Sequence, residues 1–151
     1  MNIRPARVMD VKEIHKLVEY HANNKEMLHR SLSAIYENIQ EFVVLESEDN
    51  IVGCGALHVS WENLAEIKAL AVSDKYKGQG FGRKIVKILQ DNAKNLGVSR
   101  VFALSFKPKF FIKLGYEIIP KETLPHKIWS ECINCHLFSE CGEVPLLITL
   151  K

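Results

Sequence analysis

The chain has 151 residues, 47% hydrophobic and 25% charged, the size and balance of one domain with one core. A formal net charge of +2 is too small to mark a nucleic-acid-binding protein, so any anionic ligand has to be met by local charge. No apolar run reaches the roughly 18 residues that span a bilayer, and the start MNIRPARVMD has no apolar signal stretch, so a cytoplasmic protein with reduced cysteines is expected.

Residues 2–6 read as a strand. Asp10 offers an N-cap with Glu13 three residues on, so a helix is expected from Val11, with Val11, Ile14, Leu17 and Val18 on its apolar face and Met9 stapled against Ile14. After the polar stretch 21–25, residues 31–40 carry Leu32, Ile35, Tyr36 and Ile39 at helical spacing. Two strands, 42–46 and 51–59, flank the turn cluster Ser47-Glu48-Asp49-Asn50 and predict a hairpin, with Cys54 as a small core residue. Residues 65–73 form a third strand-like run, followed by a glycine loop and a helix that Gly97 closes. Residues 98–106 are rich in β-branched and aromatic side chains and read as a strand. Pro108 opens a short helix, Gly115 stops it, and residues 116–119 return as a strand. The expected fold class is α/β (α+β): a mixed, mostly antiparallel sheet flanked by helices, in one domain over 1–151 that ends in a cysteine-containing segment, 121–151.

The centre of the chain carries the chemistry. EIKALAVSDKYKGQGFGRKIVKIL sets Gly78, Gly80 and Gly82 between a strand and a helix whose expected apolar face is Phe81, Ile85, Leu89 and Leu96. Glycine permits backbone angles closed to other residues and lets successive N–H groups point at one anion, while a phosphate at a helix start meets the positive end of its dipole. A P-loop needs Lys then Ser or Thr after its last glycine, and Gly82-Arg83-Lys84 does not supply them. A dinucleotide fingerprint needs G-x-G-x-x-G and a later acidic residue at a strand end; here the spacing is G-x-G-x-G and the next strand ends in Ser105-Phe106. Taken alone, the loop is equally well a turn that joins strand to helix.

Lys77-Gly78-Gln79-Gly80-Phe81-Gly82 resembles the loop motif of the GNAT superfamily of N-acetyltransferases, with Lys77 where Arg or Gln is usual, and the order of elements is similar along nearly the whole chain. The resemblance implies acetyl-CoA as co-substrate. It places the pyrophosphate on the amides of residues 79–84 (Gln79, Gly80, Phe81, Gly82, Arg83, Lys84), with charge from Lys77, Arg83 and Lys84, and pairs the pantetheine arm with Leu70, Ala71 and Val72. The three basic side chains are equally well solvated surface.

Acetyl transfer needs a neutral amine, a stabilised oxyanion and a departing thiolate. Glu66 stands where GNAT enzymes often carry a carboxylate that takes the amine proton through water; the plain alternative is an exposed strand-end carboxylate. The Leu70 N–H is the expected oxyanion donor. Many relatives protonate the thiolate with a tyrosine in the last helix, but the matching position is Phe111. A thiol of pKa about 8.5 leaves tolerably near neutral pH, so no acid is assigned, and Tyr116 is read as core.

The runs around Met27–Leu32, Gly53–Leu57 and Ala65–Val72, with Leu104-Ser105 and Phe110-Phe111, further resemble the acetyltransferase domain of N-acetylglutamate synthases. That resemblance implies L-glutamate as acceptor, less readily L-glutamine, in arginine biosynthesis, with Arg30, Lys68 and Ser105 holding the amino acid. An arginine grips a carboxylate with two parallel bonds, although each residue also has a plain surface or strand-end reading. Another small amine, a protein N-terminus, or a non-catalytic acetyl-CoA-binding module are the alternatives. The tail holds Cys132, Cys135 and Cys141 with His126 and His136 nearby, but the fourth zinc ligand is ambiguous, so no metal is assigned and reduced thiols are expected; Lys127 is a further candidate for the acceptor carboxylates. The partners expected are a small-molecule amine and neither nucleic acid nor membrane; a homodimer is compatible with the sequence, which carries no oligomeric signature.

Overall fold

A computed structural model of the chain describes residues 1–125 and 143–151. The expectations on His126, Lys127, Cys132, Cys135, His136 and Cys141 lie outside the described residues. In chain order the elements are β1 (Asn2–Pro5), α1 (Val11–Asn23), α2 (Leu32–Glu37), β2 (Phe42–Ser47), β3 (Asn50–Trp61), β4 (Leu64–Val72), α3 (Phe81–Asn95), β5 (Arg100–Ser105), α4 (Pro108–Lys113), β6 (Glu117–Ile118) and β7 (Val144–Thr149). The strands make one sheet in the order β1-β2-β3-β4-β5-β7-β6. Among the described residues only β4 and β5 run parallel; the other neighbours are antiparallel. The mixed, mostly antiparallel sheet with flanking helices is the architecture expected.

The helices lie on both faces. α3 covers one face, where Ile85, Val86, Leu89 and Ala93 pack on Val43, Leu45, Leu57 and Ile67. Leu96 is not on that face: it is 65% exposed, because it follows the last helical residue and caps the helix rather than continuing its stripe. α3 sits close to the sheet, since a Cβ on Gly55 would lie 2.8 Å from Ile85 Cγ2. α1 and α2 cover the other face, where Val11, Ile14, Val18 and Ile35 pack on Phe42, Val44, Cys54 and Ala56.

The start of α1 differs from expectation. Residues Val8–Asp10 form a 3-10 turn, and the Asp10 side chain makes no cap bond to α1; its carboxylate accepts from both Arg4 guanidinium nitrogens (2.8 and 3.0 Å) and, capping the 3-10 turn, from the Arg7 N–H (2.7 Å). The Arg4 bonds hold Asp10 below the usual carboxylate range. Met9 is 78% exposed, so the staple does not form, and Glu13 accepts instead from the Ile51 N–H (3.0 Å), tying α1 to β3. The helix expected over 31–40 stops at Glu37, and Ile39–Glu41 tightens into a 3-10 turn; the Ser31 hydroxyl accepts from the Ala34 N–H (3.1 Å) and starts it. The hairpin forms, with Glu48 and Asp49 both at positive φ, the geometry that matches strand twist in a two-residue turn. β7 was not anticipated, and it enters between β5 and β6.

Two irregularities open the sheet. Along β3 the step from Cys54 to Ala56 faces a step from Ala71 to Lys68 on β4, so β4 carries one extra residue, with Ala69 at φ 53°. β4 pairs with β5 only at Ala65, Glu66 and Ile67. Beyond Ile67 these strands diverge and leave a wedge.

Candidate active site

The wedge is a cavity of about 490 Å³. Leu70–Val72 line one wall and Ala103–Phe106 the other, the glycine loop closes one end, and Glu66, Lys68 and Arg30 line the opposite end.

At the loop end, backbone supplies the chemistry. Gly78 and Gly80 have φ of 77° and 84°, the left-handed region that favours glycine, and a Cβ at either would meet nothing within 4 Å. Their role is conformational. Gly82 differs: a Cβ there would lie 3.3 Å from the Phe110 ring, so its bareness lets α3 approach α4. Gly80 caps α3 without any side-chain bond, and the first intrahelical bond in the ladder runs from the Lys84 N–H to the Gly80 carbonyl (3.1 Å). The N–H groups of Phe81, Gly82 and Arg83 therefore precede the ladder and are available to an anion. The Lys84 amide is not, which corrects its expected place. Gln79 and Lys84 do not line the cavity; the Gln79 side chain reaches toward the Lys75 carbonyl (3.5 Å) and the Lys84 ammonium lies 5.2 Å over the Phe81 ring. Lys77, Gly78, Gly80, Phe81, Gly82 and Arg83 do line it.

Lys77 is drawn into carboxylates. Its ammonium pairs with Asp74 (2.8 Å) and Glu26 (3.2 Å), and chiefly Asp74 raises its pKa. Glu26 also binds Lys107 and faces His21 Nδ1 at 3.2 Å, and these side-chain hydrogen bonds, that of Lys107 foremost, pull its pKa down to about 2. His21 Nε2 lies 3.0 Å from the Val72 carbonyl, pinning the end of β4 to α1. Sequence reasoning missed His21 and Glu26. His21 had a signal, since it continues the Val11–Ile14–Val18 stripe and is buried with it. Glu26 had none, because its lysine partners lie 51 and 81 residues away.

At the other end side chains dominate. Glu66 is buried, and its Oε1 lies 3.9 Å from Lys68 Nζ. The plain alternative of an exposed strand-end carboxylate is thus excluded for Glu66. Arg30 is held by its own backbone, whose N–H donates to Glu19 (3.4 Å), and its Nε is buried without a hydrogen-bond partner among the described residues. An uncompensated buried donor costs about 1–3 kcal/mol, which a ligand accepting from this nitrogen would recover. The Ser105 hydroxyl accepts from the Lys107 N–H (2.9 Å), which leaves its own proton to donate. Phe111 lines the cavity and packs edge-on against Phe110 and Tyr116. Tyr116 is core, as expected: Gln90 donates to its hydroxyl (2.7 Å), burial pushes its pKa up to about 12, and it does not line the cavity.

Residues 8–116 match the sequence model of the acetyltransferase (GNAT) family. The chain belongs to that family. This acetyltransferase is 36% identical over 148 residues to an N-acetyltransferase of Chlorobaculum tepidum, covering 98% of this chain and 96% of that one. It is 39% identical over 132 residues to an amino-acid acetyltransferase of Mycobacterium tuberculosis, covering 85% of this chain and 75% of the other. Among solved structures it superposes on Rv2747 from Mycobacterium tuberculosis in complex with CoA, with TM-score 0.85 and 34% identity over the whole of both chains. It also superposes on N-acetylglutamate synthase from Neisseria gonorrhoeae complexed with coenzyme A and N-acetyl-glutamate, with TM-score 0.90, 29% identity, 99% of this chain and 35% of that one.

The protein is an acetyl-CoA-dependent N-acetyltransferase. The free amides at the start of α3 fit the anionic portion of acetyl-CoA, and the diverging edges of β4 and β5 leave room for an extended arm between them. No helix among the described residues is long and apolar enough to cross a membrane.

Proposed function

We propose that the enzyme acetylates the α-amine of an amino acid, with L-glutamate as the first candidate and L-glutamine the second, as a cytoplasmic step of arginine biosynthesis. The observation that carries this reading is the unpartnered, buried Arg30 Nε, in the same cavity as Lys68 and Ser105. A guanidinium, an ammonium and a hydroxyl donor in one cavity match the carboxylates of an acidic amino acid better than a simple hydrophobic amine. The names of the M. tuberculosis and N. gonorrhoeae relatives agree with it.

In the proposed reaction Glu66 takes a proton from the substrate ammonium, directly or through one water, and the freed amine attacks the thioester carbonyl. The Leu70 N–H, at the β4 bulge, stabilises the oxyanion. Leu70, Ala71 and Val72 pair with the pantetheine arm, and Gly80, Phe81, Gly82 and Arg83 hold the pyrophosphate. As the tetrahedral intermediate collapses, the C–S bond breaks and the departing thiolate takes the nitrogen's second proton, directly or through water, so no dedicated acid is needed, consistent with Phe111 in place of a tyrosine.

Purified protein with acetyl-CoA and a panel of amino acids and small amines, read by free thiol release, tests the proposal. Turnover with glutamate in preference to the rest is the expected result. Preference for a non-acidic amine or an N-terminal peptide overturns the acceptor assignment, and cofactor binding without turnover on any amine overturns the enzymatic reading.

A further inference from the structure

Among the described residues, the sheet face beneath α1 and α2 is not covered along its whole length. One apolar cluster, including Ile14, Ile35 and Ala56, lies under the helices, and a second, formed by Leu64, Phe102 and Leu124, closes the far end. Between them three polar side chains share the face. Ala65 and Ile67 pack toward α3, so Glu66 and Lys68 point the other way, and His58 stands directly opposite Glu66 in the β3–β4 register. Residues so paired have Cβ atoms about 4.5–5.5 Å apart.

A second cavity of about 200 Å³ lies beside the first. Arg30, Lys68 and Ala69 line both, and His58 and Glu41 line the second alone. His58 Nδ1 is 2.7 Å from Glu41 Oε2. An ionised carboxylate only accepts, so Nδ1 carries a proton, and in the neutral ring Nε2 is left as the base. The His58 side chain is 36% exposed, so the ring touches bulk water as well as the cavity.

Each turnover leaves one substrate proton on Glu66, which is buried and has to discharge it before the next. We infer that His58, oriented by Glu41, relays this proton from Glu66 to solvent through the second cavity. The relay rests on Glu66 being the base. The proton leaves the substrate nitrogen for a Glu66 oxygen, then passes from that oxygen to His58 Nε2, directly or through one water. The imidazolium, balanced by Glu41, gives its Nε2 proton to solvent, and both groups return to their starting states; no electrons move. Among the described residues, the charged groups facing this route are Lys68, 3.9 Å from Glu66, with Arg30 and Glu41 on the cavity walls. His58 is thus a relay residue, reaching the reacting amine only through Glu66.

His58→Ala and Glu41→Gln, assayed as full-length protein with acetyl-CoA and whichever amino acid of the panel turns over, test the relay. His58→Ala is expected to lower kcat at least tenfold, at the small end of what proton transfer contributes, with both KM values within twofold. Added imidazole should restore much of the loss, and Glu41→Gln should show a smaller drop. An unchanged kcat in His58→Ala while Glu66→Gln is inactive overturns the relay alone. Full activity in Glu66→Gln overturns the base on which the relay rests. A loss in His58→Ala that imidazole does not rescue, or that tracks a fall in Tm, makes His58 structural and also overturns it.

Discussion

The two ends of the main cavity are built from different materials. At the end closed by the glycine loop, the proposed cofactor end, the main chain of Phe81, Gly82 and Arg83 offers free N–H donors, and left-handed Gly78 and Gly80 set their direction. At the proposed acceptor end, the side chains of Arg30, Glu66 and Lys68 line the cavity from the segment before α2 and from β4, and Ser105 lines its wall from the end of β5. A site made of backbone tolerates changes in its side chains but not in its dihedral angles. A site made of side chains behaves the opposite way.

The largest expected effect is at the acceptor end. Glu66→Gln should lower kcat by about 10²–10⁴, the range of general acid–base catalysis, while leaving acetyl-CoA binding near wild type; steady-state kinetics beside calorimetric titration with the cofactor measure both. Retained kcat would dissolve the division of labour between the two ends. Arg30→Ala should raise the acceptor KM by about 10- to 100-fold, matching a charge-assisted bond of about 1.5–3 kcal/mol, and should change the KM of acetyl-CoA little. Equal rises in both would show that Arg30 serves the fold of the whole mouth.

The cofactor end should respond to shape. Gly80→Ala, at φ 84°, should cost about 1–2 kcal/mol of left-handed strain and weaken acetyl-CoA binding up to about tenfold, read by titration and Tm. Lys84→Ala is the contrast, expected to shift cofactor affinity less than about threefold, since its amide is bonded to Gly80 and its ammonium rests on Phe81.

The smallest effect concerns Glu26, which bridges the loop before α2 to the glycine loop and to the turn after β5 through Lys77 and Lys107. Its folded-state pKa is depressed from 4.5 to about 2, so its contribution is present in full above pH 4.5 and is lost as pH falls from 4.5 toward 2. Partial exposure limits that contribution to about 1 kcal/mol. Glu26→Gln should lower Tm slightly at neutral pH and flatten the acid limb of the Tm–pH curve; an unchanged limb would mean that other carboxylates govern it.

Much of the cofactor end was legible in the sequence because its determinants are local. The strand, three glycines and amphipathic helix lie within residues 64–95, and the turn at Glu48-Asp49 follows from neighbours alone. Even there the reading stopped at the backbone: the engaged amide of Lys84 and the exposure of Leu96 depend on where the helix ladder begins and ends. At the acceptor end, Arg30, Lys68 and Ser105 were named through family resemblance, but their neighbours were not. Asp10 read as a cap and proved to be a partner of Arg4, because a carboxylate near a helix start serves whichever donor the fold brings closest. His58 and Glu41 have no motif at all; a strand register and a 3-10 turn bring them together.

By itself the sequence determined the periodicities, the turn chemistry and the phosphate-sized loop, since these depend on dihedral preferences and spacing over a few residues. Only the tertiary structure decided where β7 enters, how the extra residue near Ala69 and the short β4–β5 pairing open a cavity between those strands, and which side chains face it. Those outcomes rest on contacts between residues far apart in the chain. Their geometry is fixed by sheet register and packing, which no local pattern encodes.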